Sequence, residues 1–341
     1  MSEAPEPGEG RRPRRVIAIG ASAGGVDALQ RVVSALPADL PAAICVVLHI
    51  PATGKSLLAP ILARAGALPA QQAEDGVLLQ AGCIYVARAD NHLLVRGDRL
   101  ELDHGPKENG VRPAVDPLLR SVAASWGPAA VAVVLSGALD DGASGVVNVA
   151  ESGGTVVVQD PGDALVPSMP ESALAAAGDA LVAPVAELAD LLAGLVSQRA
   201  PEEAVMTPDV DPSFGVDLTR GRPEGPPTGF TCPECSGALW ELRRGELVRY
   251  QCRVGHSYSE EALLDHQATA VEAALWAALE VLEERGELLN RIADRMGSRN
   301  ARSEARFRTG DREALERAEL IRAALALRGA PVDEARQASA G

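Results

Sequence analysis

The chain has 341 residues, 47% hydrophobic and 23% charged, the balance of a folded protein of about two domains. Asp and Glu outnumber Lys and Arg by 47 to 32, a formal charge of −15, which excludes a general affinity for nucleic acid or anionic membrane, since both need clustered positive charge. The longest uncharged run, Ser121–Leu139, is broken by Trp126-Gly127-Pro128 and reads as a helix end, a turn and a strand rather than a span of about 20 apolar residues.

Residues 1–14 are rich in Pro, Gly, Glu and Arg and have no apolar core, which predicts a disordered tail rather than a signal peptide, and a cytoplasmic chain. From residue 15 to 196, strand-like and helix-like segments alternate. Val16–Ile19 reads as a strand, Gly20–Gly25 as a turn and Val26–Leu36 as a helix. Ile44–Leu48 is a fully apolar strand, and Leu57–Ala65 has helical periodicity. Ile84–Ala87, Leu93–Val95 and Leu100–Leu102 are short strands at close spacing, which predicts an antiparallel excursion. Val115–Ala124 reads as a helix, Val131–Leu135 as a strand, Ala143–Glu151 as a helix, Thr155–Gln159 as a strand and Val185–Leu195 as a helix. Continuous apolar strands alternating with helices predict an α/β fold: a doubly wound, mainly parallel sheet with one hairpin excursion.

A Pro-rich linker is expected over 197–228, followed by a small module over 229–259, a helical hairpin or coiled-coil segment over 260–330 and a second disordered tail over 331–341. In the small module, Cys232-Pro-Glu-Cys235 and Cys252-Arg-Val-Gly-His256 give C-x2-C-x16-C-x3-H, with a β-hairpin expected from Ala238–Leu242 and Leu247–Gln251. Thiolates and a neutral imidazole at this spacing suit tetrahedral Zn²⁺, and four protein ligands close the shell, so the site is expected to be structural, a zinc-ribbon-like layout. Cys45 and Cys83 lie in apolar runs and read as small core residues. Farther on, Leu275, Leu282, Leu289 and Met296 are seven apart, with Val271, Ala278 and Ile292 in the offset row and Arg285 interrupting it; Asp311–Leu327 reads as a second helix. These helices are a candidate surface for a signalling partner or for self-association.

The first loop, Gly20-Ala21-Ser22-Ala23-Gly24-Gly25, follows a strand and opens a helix. As a dinucleotide loop it would put Ser22 where the second glycine must let a pyrophosphate approach, which disfavours an oxidoreductase. As a Gly-x-Ser-x-Gly turn it lifts a serine above the sheet at a helix N-terminus, where backbone amides can hold an oxyanion. His49 ends the second apolar strand, on the same carboxyl edge if the sheet is parallel. Leu135-Ser-Gly-Ala-Leu-Asp-Asp-Gly-Ala143 follows the third and supplies two aspartates, one able to orient His49 and one to cap a helix. His92 and His104 end no core strand and rank below His49 as bases.

Taken together these residues resemble the catalytic domain of the chemotaxis-specific protein-glutamate methylesterase family (CheB type), over about residues 15–196. The motifs occur in the family's order: Ile17–Gly25 for the nucleophile loop, Leu48-His49-Ile50-Pro51, Gly82–Ala87 with His92, Arg112-Pro-Ala-Val-Asp116 with Leu119–Val122, Leu135–Ala143 for the aspartate loop, and Ser168-Met169-Pro170. The resemblance implies a Ser22/His49/Asp141 triad, with Asp141 selected over Asp140 because it directly precedes Gly-Ala. It further implies an oxyanion hole from the amides of Ala23 and Ala138, a candidate substrate contact at Arg112, and no cofactor for catalysis. The reaction implied is hydrolysis of glutamate methyl esters, with deamidation of glutamine as a companion activity, on the cytoplasmic helices of chemoreceptors. Nucleic acid and membrane insertion are not among the expected partners.

Two features depart from the family pattern. Its Gly-Met-Gly reads Gly137-Ala138-Leu139 here, and Leu139 in place of glycine is expected to shift the loop. Family members carry an N-terminal receiver domain, and a catalytic domain starting near residue 15 is expected to lie under another control. The competing reading is a non-catalytic adaptor that keeps the esterase fold as a scaffold.

Overall fold

The computed structural model describes residues 11–50, 56–197, 223–245, 247–296 and 300–326. Of the expected tails, residues 1–10 and 331–341 fall outside these residues, as do most of the expected linker and Pro51 of the histidine motif; residues 11–14 are described, and there Arg14 N–H donates to the Pro41 carbonyl and the Arg11 carbonyl accepts from Ala81 N–H, both at 2.8 Å. Two compact units divide the chain, Met1–Leu263 and Leu264–Gly341.

The first unit opens with β1 (Arg15–Ala21), α1 (Gly25–Ala35), β2 (Ala42–Leu48), α2 (Leu58–Ala65), β3 (Ala70–Gln72) and β4 (Ile84–Val86). The hairpin β5 (His92–Arg96) and β6 (Arg99–Asp103) comes next, and then α3 (Val115–Trp126), β7 (Ala130–Val134), α4 (Ala143–Glu151), β8 (Thr155–Gln159), α5 (Ser168–Ala177), β9 (Leu181–Ala183) and α6 (Val185–Ser197). Seven of these strands form one sheet in the order β3-β4-β2-β1-β7-β8-β9, and every pairing in it is parallel. Of the three short strands expected as an excursion, only β5 and β6 leave as an antiparallel pair; Ile84–Val86 pairs with β2 instead, because its apolar residues are buried inside the sheet. β3, α5 and β9 are additions to the expected elements; β3 and β9 are three-residue edge strands too short to carry a period.

Helices cover both faces, so β1, β2 and β7 are buried along their whole length. Alternate residues divide between two cores. Ile17 and Ile19 of β1 pack with Leu29, Leu62 and Leu188 on one face; Val16 and Ala18 pack with Leu118, Val122 and Val149 on the other. The chain leaves β1 towards β2 on one side and later returns to add β7 on the other. That reversal makes a crevice at the carboxyl end of β1, the place where open α/β sheets put their sites.

The same unit contains a second sheet: β10 (Pro227–Thr231), β11 (Ala238–Arg244), β12 (Leu247–Cys252) and β13 (Ser257–Tyr258), antiparallel in that order. Its own core is small: Cys232, Leu239, Tyr250, Cys252, Tyr258, Ala262 and Leu263. The module also continues into the larger domain. Asn109 N–H donates to the Ser257 carbonyl at 2.7 Å, Ser257 N–H to the Lys107 carbonyl at 3.3 Å, and Lys107 Nζ pairs with Glu234 at 2.7 Å.

The second unit consists of α7 (Glu260–Met296) from Leu264 onwards, with α8 (Ala301–Ala326). Arg322 pairs with Glu283 while Arg308 meets Asp294, so the two helices run antiparallel. The packed seam differs from the expected one: Leu279, Gly286 and Ala293 are buried, whereas Val271 of the offset row and Met296 of the first row are exposed. At Gly286 the missing side chain leaves room for Asp311 of α8, whose Oδ1 would lie 3.2 Å from an added Cβ. Among the described residues, no helix is long and apolar enough to cross a membrane.

Candidate active site

Parallel registration brings Ser22 and His49 together. Ala21 is the register partner of Leu48, so the next residue of each strand emerges at the same edge, and His49 N–H donates to the Ala21 carbonyl at 3.2 Å. Ser22 N–H donates to the Ser136 carbonyl at 3.0 Å, tying the loop to the end of β7. Ser136 Oγ adds a second tie, donating to the Ala23 carbonyl at 2.7 Å. Gly24 stands at φ +78°, and a Cβ there would lie 2.7 Å from Ser136 Oγ, so the turn requires glycine twice over. Gly137 is equally constrained: a Cβ would lie 2.9 Å from Ser22 Cβ and would strike Met169 of the Ser-Met-Pro segment.

His49 Nε2 lies 2.7 Å from Asp141 Oδ2, and the ring is only part-buried while the carboxylate is buried. With Nε2 donating to Asp141, Nδ1 is the ring nitrogen left to act as a base. The Ser22 hydroxyl makes no hydrogen bond to a described residue, an arrangement common before substrate closes a site. Asp141 is held from four directions. Oδ2 also accepts from Val115 N–H at 2.6 Å; Oδ1 accepts from Asp116 N–H at 3.1 Å and Asn109 Nδ2 at 3.2 Å. Burial opposes its charge, but the His49 hydrogen bond and charge and the two amides outweigh burial and hold the carboxyl down at about 2.

Asp116 mirrors this arrangement. Its Oδ1 accepts from Gly142 N–H at 3.1 Å and Gly145 N–H at 2.7 Å. Thus Asp141 caps the N-terminus of α3 while Asp116, inside α3, caps the N-terminus of α4. Burial pushes the Asp116 carboxyl up, Arg249 opposes that, and the neighbouring Asp141 adds to it. Asp140 is raised to about 6, chiefly by burial, with a Ser259 hydrogen bond opposing the shift.

The Ala23 and Ala138 amides, expected as oxyanion donors, sit on exposed residues and donate to no described residue. Leu139 adopts φ +61°, the left-handed conformation that glycine takes without cost and a leucine holds at about 1 kcal/mol. The loop therefore keeps a glycine-like turn despite the substitution. Arg112, expected to meet substrate, is engaged elsewhere. All five of its donors have partners: Asp90 at 3.0 and 2.6 Å, the His104 and Gly105 carbonyls, and His104 Nε2. It fastens the β5–β6 hairpin to the segment before α3. His92 is likewise structural: buried, it meets the Pro106 carbonyl at 3.0 Å and accepts from Ala114 N–H at 3.2 Å.

The family model described as CheB methylesterase matches residues 17–192, just over half the chain. The chain belongs to the CheB methylesterase family. Protein-glutamate methylesterase/protein-glutamine glutaminase 3 of Anaeromyxobacter dehalogenans (strain 2CP-C) is 46% identical over 182 residues, covering 52% of this chain and 53% of that relative. Protein-glutamate methylesterase/protein-glutamine glutaminase 1 of Xanthomonas campestris pv. campestris is 39% identical over 205 residues, covering 58% and 57%. This CheB-family chain thus spans about half the length of the curated relatives it matches. The crystal structure of the Thermotoga maritima CheB methylesterase catalytic domain aligns with a TM-score of 0.51 at 34% identity, covering 53% of this chain and 98% of that one. The fold of the parallel-sheet region is therefore the CheB catalytic fold, with an antiparallel sheet and C-terminal helices added.

In the added sheet, Cys232, Cys235, Cys252 and His256 place their ligand atoms within 4.8 Å of one another. Cys235 Sγ and Cys252 Sγ are 3.6 Å apart, and His256 Nδ1 lies 3.7 Å from Cys232 Sγ and 3.6 Å from Cys252 Sγ. A tetrahedron with the usual Zn–S and Zn–N bonds has edges of about 3.6–3.8 Å, so the donor set fits zinc. Burial lowers the His256 proton affinity and so favours the neutral imidazole a metal requires.

Four residues that hold this site together carry no clear sequence signal of their own: Asn109, Ser136, Arg249 and Ser259. Asp116 does carry one, a carboxylate set among the buried apolar positions of α3.

Proposed function

We propose that this chain is a protein-glutamate methylesterase acting on chemoreceptors or receptor-like signalling proteins. The observation that carries the reading is the His49–Asp141 pair at 2.7 Å, beside Ser22 on adjoining parallel strand ends, in a domain of the CheB family. Ser22 attacks the ester carbonyl as His49 takes its proton, and Asp141 holds the ring in the tautomer with Nδ1 free. The Ala23 and Ala138 amides receive the oxyanion. The proton returns to the leaving oxygen, methanol departs, and water activated by His49 releases the free glutamate. A glutamine amide presented in the same way would release ammonia, which matches the glutaminase half of the relatives' names. The reaction calls for no cofactor, and the chain works in the cytoplasm, where the receptor helices lie.

The Cys232/Cys235/Cys252/His256 site holds a structural zinc in this reading. Cys232, Cys235 and Cys252 bind as thiolates and His256 as the neutral ring; the ion supplies cross-linking rather than chemistry. The domain boundaries proposed are 15–196 for the esterase and 229–259 for the zinc module, with the helices beyond as a contact surface.

The test is methanol release from a methylated chemoreceptor cytoplasmic fragment. The chain is expected to release methanol and its Ser22→Ala variant to release none. Equal release by both would remove Ser22 as nucleophile, and no release by either would favour the adaptor reading. The glycine-like turn retained at Leu139 supports catalysis over that alternative.

A further inference from the structure

Arg249 lies on β12, between the two cysteine knuckles, yet both terminal nitrogens of its guanidinium reach outside its own sheet. It is 2% exposed. NH1 donates to Asp116 Oδ2 at 2.6 Å, NH2 meets Asn109 Oδ1 at 3.3 Å and Glu108 Oε2 at 3.4 Å, and Nε donates to Ser257 Oγ at 3.1 Å. Two of these partners bind the catalytic carboxylate directly. Asp116 N–H and Asn109 Nδ2 both donate to Asp141 Oδ1, at 3.1 and 3.2 Å, while His49 takes Oδ2. Arg249 thus sits one residue away from Asp141 by two routes, and both end on the oxygen that His49 does not use. Ser259, just past β13, adds to the grip: its N–H donates to Asn109 Oδ1 at 3.0 Å and its hydroxyl to Asp140 Oδ1 at 2.7 Å.

The charge arrangement points the same way. Three buried carboxylates, Glu108, Asp116 and Asp141, meet two buried guanidiniums, Arg120 and Arg249. Arg120 is committed to Glu108, so Arg249 is the cation in contact with Asp116. Two carboxylates this close do not both stay charged without one. The residues the family model covers end at 192, so this cation reaches the triad from outside that domain.

We propose that Arg249 is a positioning residue for the esterase, holding Asp141 in place through Asp116 and Asn109, so that the Cys3His module completes the catalytic carboxylate's setting. The inference rests on the esterase reading above. The groups around the carboxylate pair are His49 after β2, Glu108 and Asn109 before α3, Arg120 in α3, Asp140 in the loop, Arg249 on β12, and Ser259 and Glu261 at the start of α7. Of these, Arg249 is the cation that contacts Asp116.

The experiment compares the full chain with Arg249→Met, Arg249→Lys and the double variant Asp116→Asn/Arg249→Met. It measures methyl-ester turnover against pH on a methylated receptor fragment and, separately, the low-field proton NMR signal of the His49–Asp141 hydrogen bond. Arg249→Met is expected to lower kcat by about 10- to 100-fold with KM within about twofold. Its acidic limb is expected at higher pH, because the carboxylate pair has lost its cation, and the low-field signal is expected to vanish. Arg249→Lys keeps the charge without the fork and falls between. The double variant removes both charges and is expected to recover much of kcat and the signal. A folded Arg249→Met protein with unchanged kcat, pH profile and signal overturns the inference. If Arg249→Met does not fold, a wild-type pH profile and signal in Arg249→Lys, together with no rescue in a folded double variant, overturn it equally. If the parent releases no methanol but loses the signal on Arg249→Met, the esterase reading fails and the coupling to Asp141 stands.

Discussion

The two sheets of the first unit are held together by different physics. The parallel sheet has β1, β2 and β7 buried end to end between two large apolar clusters, and it needs no cross-link. The four-stranded sheet has a core of seven residues, two of them cysteines of the Cys3His cluster, and strands such as β10 that are mostly exposed. A core that small cannot by itself offset the entropy of ordering its strands, so it depends on the domain it leans against and, in the reading proposed above, on a zinc ion. Placing a catalytic support such as Arg249 on the weaker sheet makes the stability of the module a condition on the chemistry of the stronger one.

The sharpest way to break that comparison is at the proposed nucleophile. Ser22→Ala is expected to lower turnover by about 10⁴-fold or more while leaving the melting temperature unchanged, since the hydroxyl bonds to no described residue; assay and calorimetry on one sample check both. Asp141→Asn should separate the regions differently. Its loss of turnover is again about 10⁴-fold, but it also costs stability, because the carboxylate accepts four hydrogen bonds and caps α3. Because the Asp141 carboxyl is held at about 2 in the fold, below its unfolded value, its contribution is present above about pH 4 and is lost as pH falls through about 2, which acid unfolding of the two proteins measures.

Core truncation and metal loss should act on one sheet each. Ile19→Ala removes a fully buried side chain of the parallel sheet and is expected to cost about 3 kcal/mol in denaturant unfolding. Cys235→Ser is expected to abolish bound zinc and protection from hydrogen exchange in β10–β13, while amides of β1, β2 and β7 stay protected. Uniform loss of protection would show that the two sheets melt as one. The smallest effect is at Asp140. Its carboxyl is raised to about 6 by burial, so the fold favours the protonated form and stability falls as pH rises from about 4 to about 6. Asp140→Asn keeps the acceptor for Ser259 and is expected to flatten that slope, gaining about 1–2 kcal/mol at pH 7.

The difference between the sheets also explains what the sequence discloses. Strands buried on both faces are continuous apolar runs, so β1, β2, β7 and β8 are legible within a residue or two, and the residues at their ends follow once the sheet is parallel. The Cys3His cluster is legible because its spacing is local. The edge strands β3 and β9 are not, since three residues carry no period. The partners of Arg112 are not legible either, because an arginine in a motif looks the same whether its fork faces solvent or Asp90. Arg249 is illegible for a stronger reason: its partners Asp116 and Asn109 lie 133 and 140 residues earlier, and nothing local distinguishes a strand arginine that crosses into another sheet from one facing water.

Asp141 serves two masters, the imidazole and the helix end, and this makes the proposed triad unequal under genetic drift. The Ser22 hydroxyl carries no share of the fold, and the His49 side chain gives it one ring contact, whereas Asp141 and Asp116 together clasp two helices. A descendant released from selection for hydrolysis can discard the serine at once and the histidine soon after, but it must keep the aspartate to stay folded. Retired members of such a lineage are therefore recognisable by a surviving Asp-Asp-Gly-Ala loop above an empty nucleophile turn.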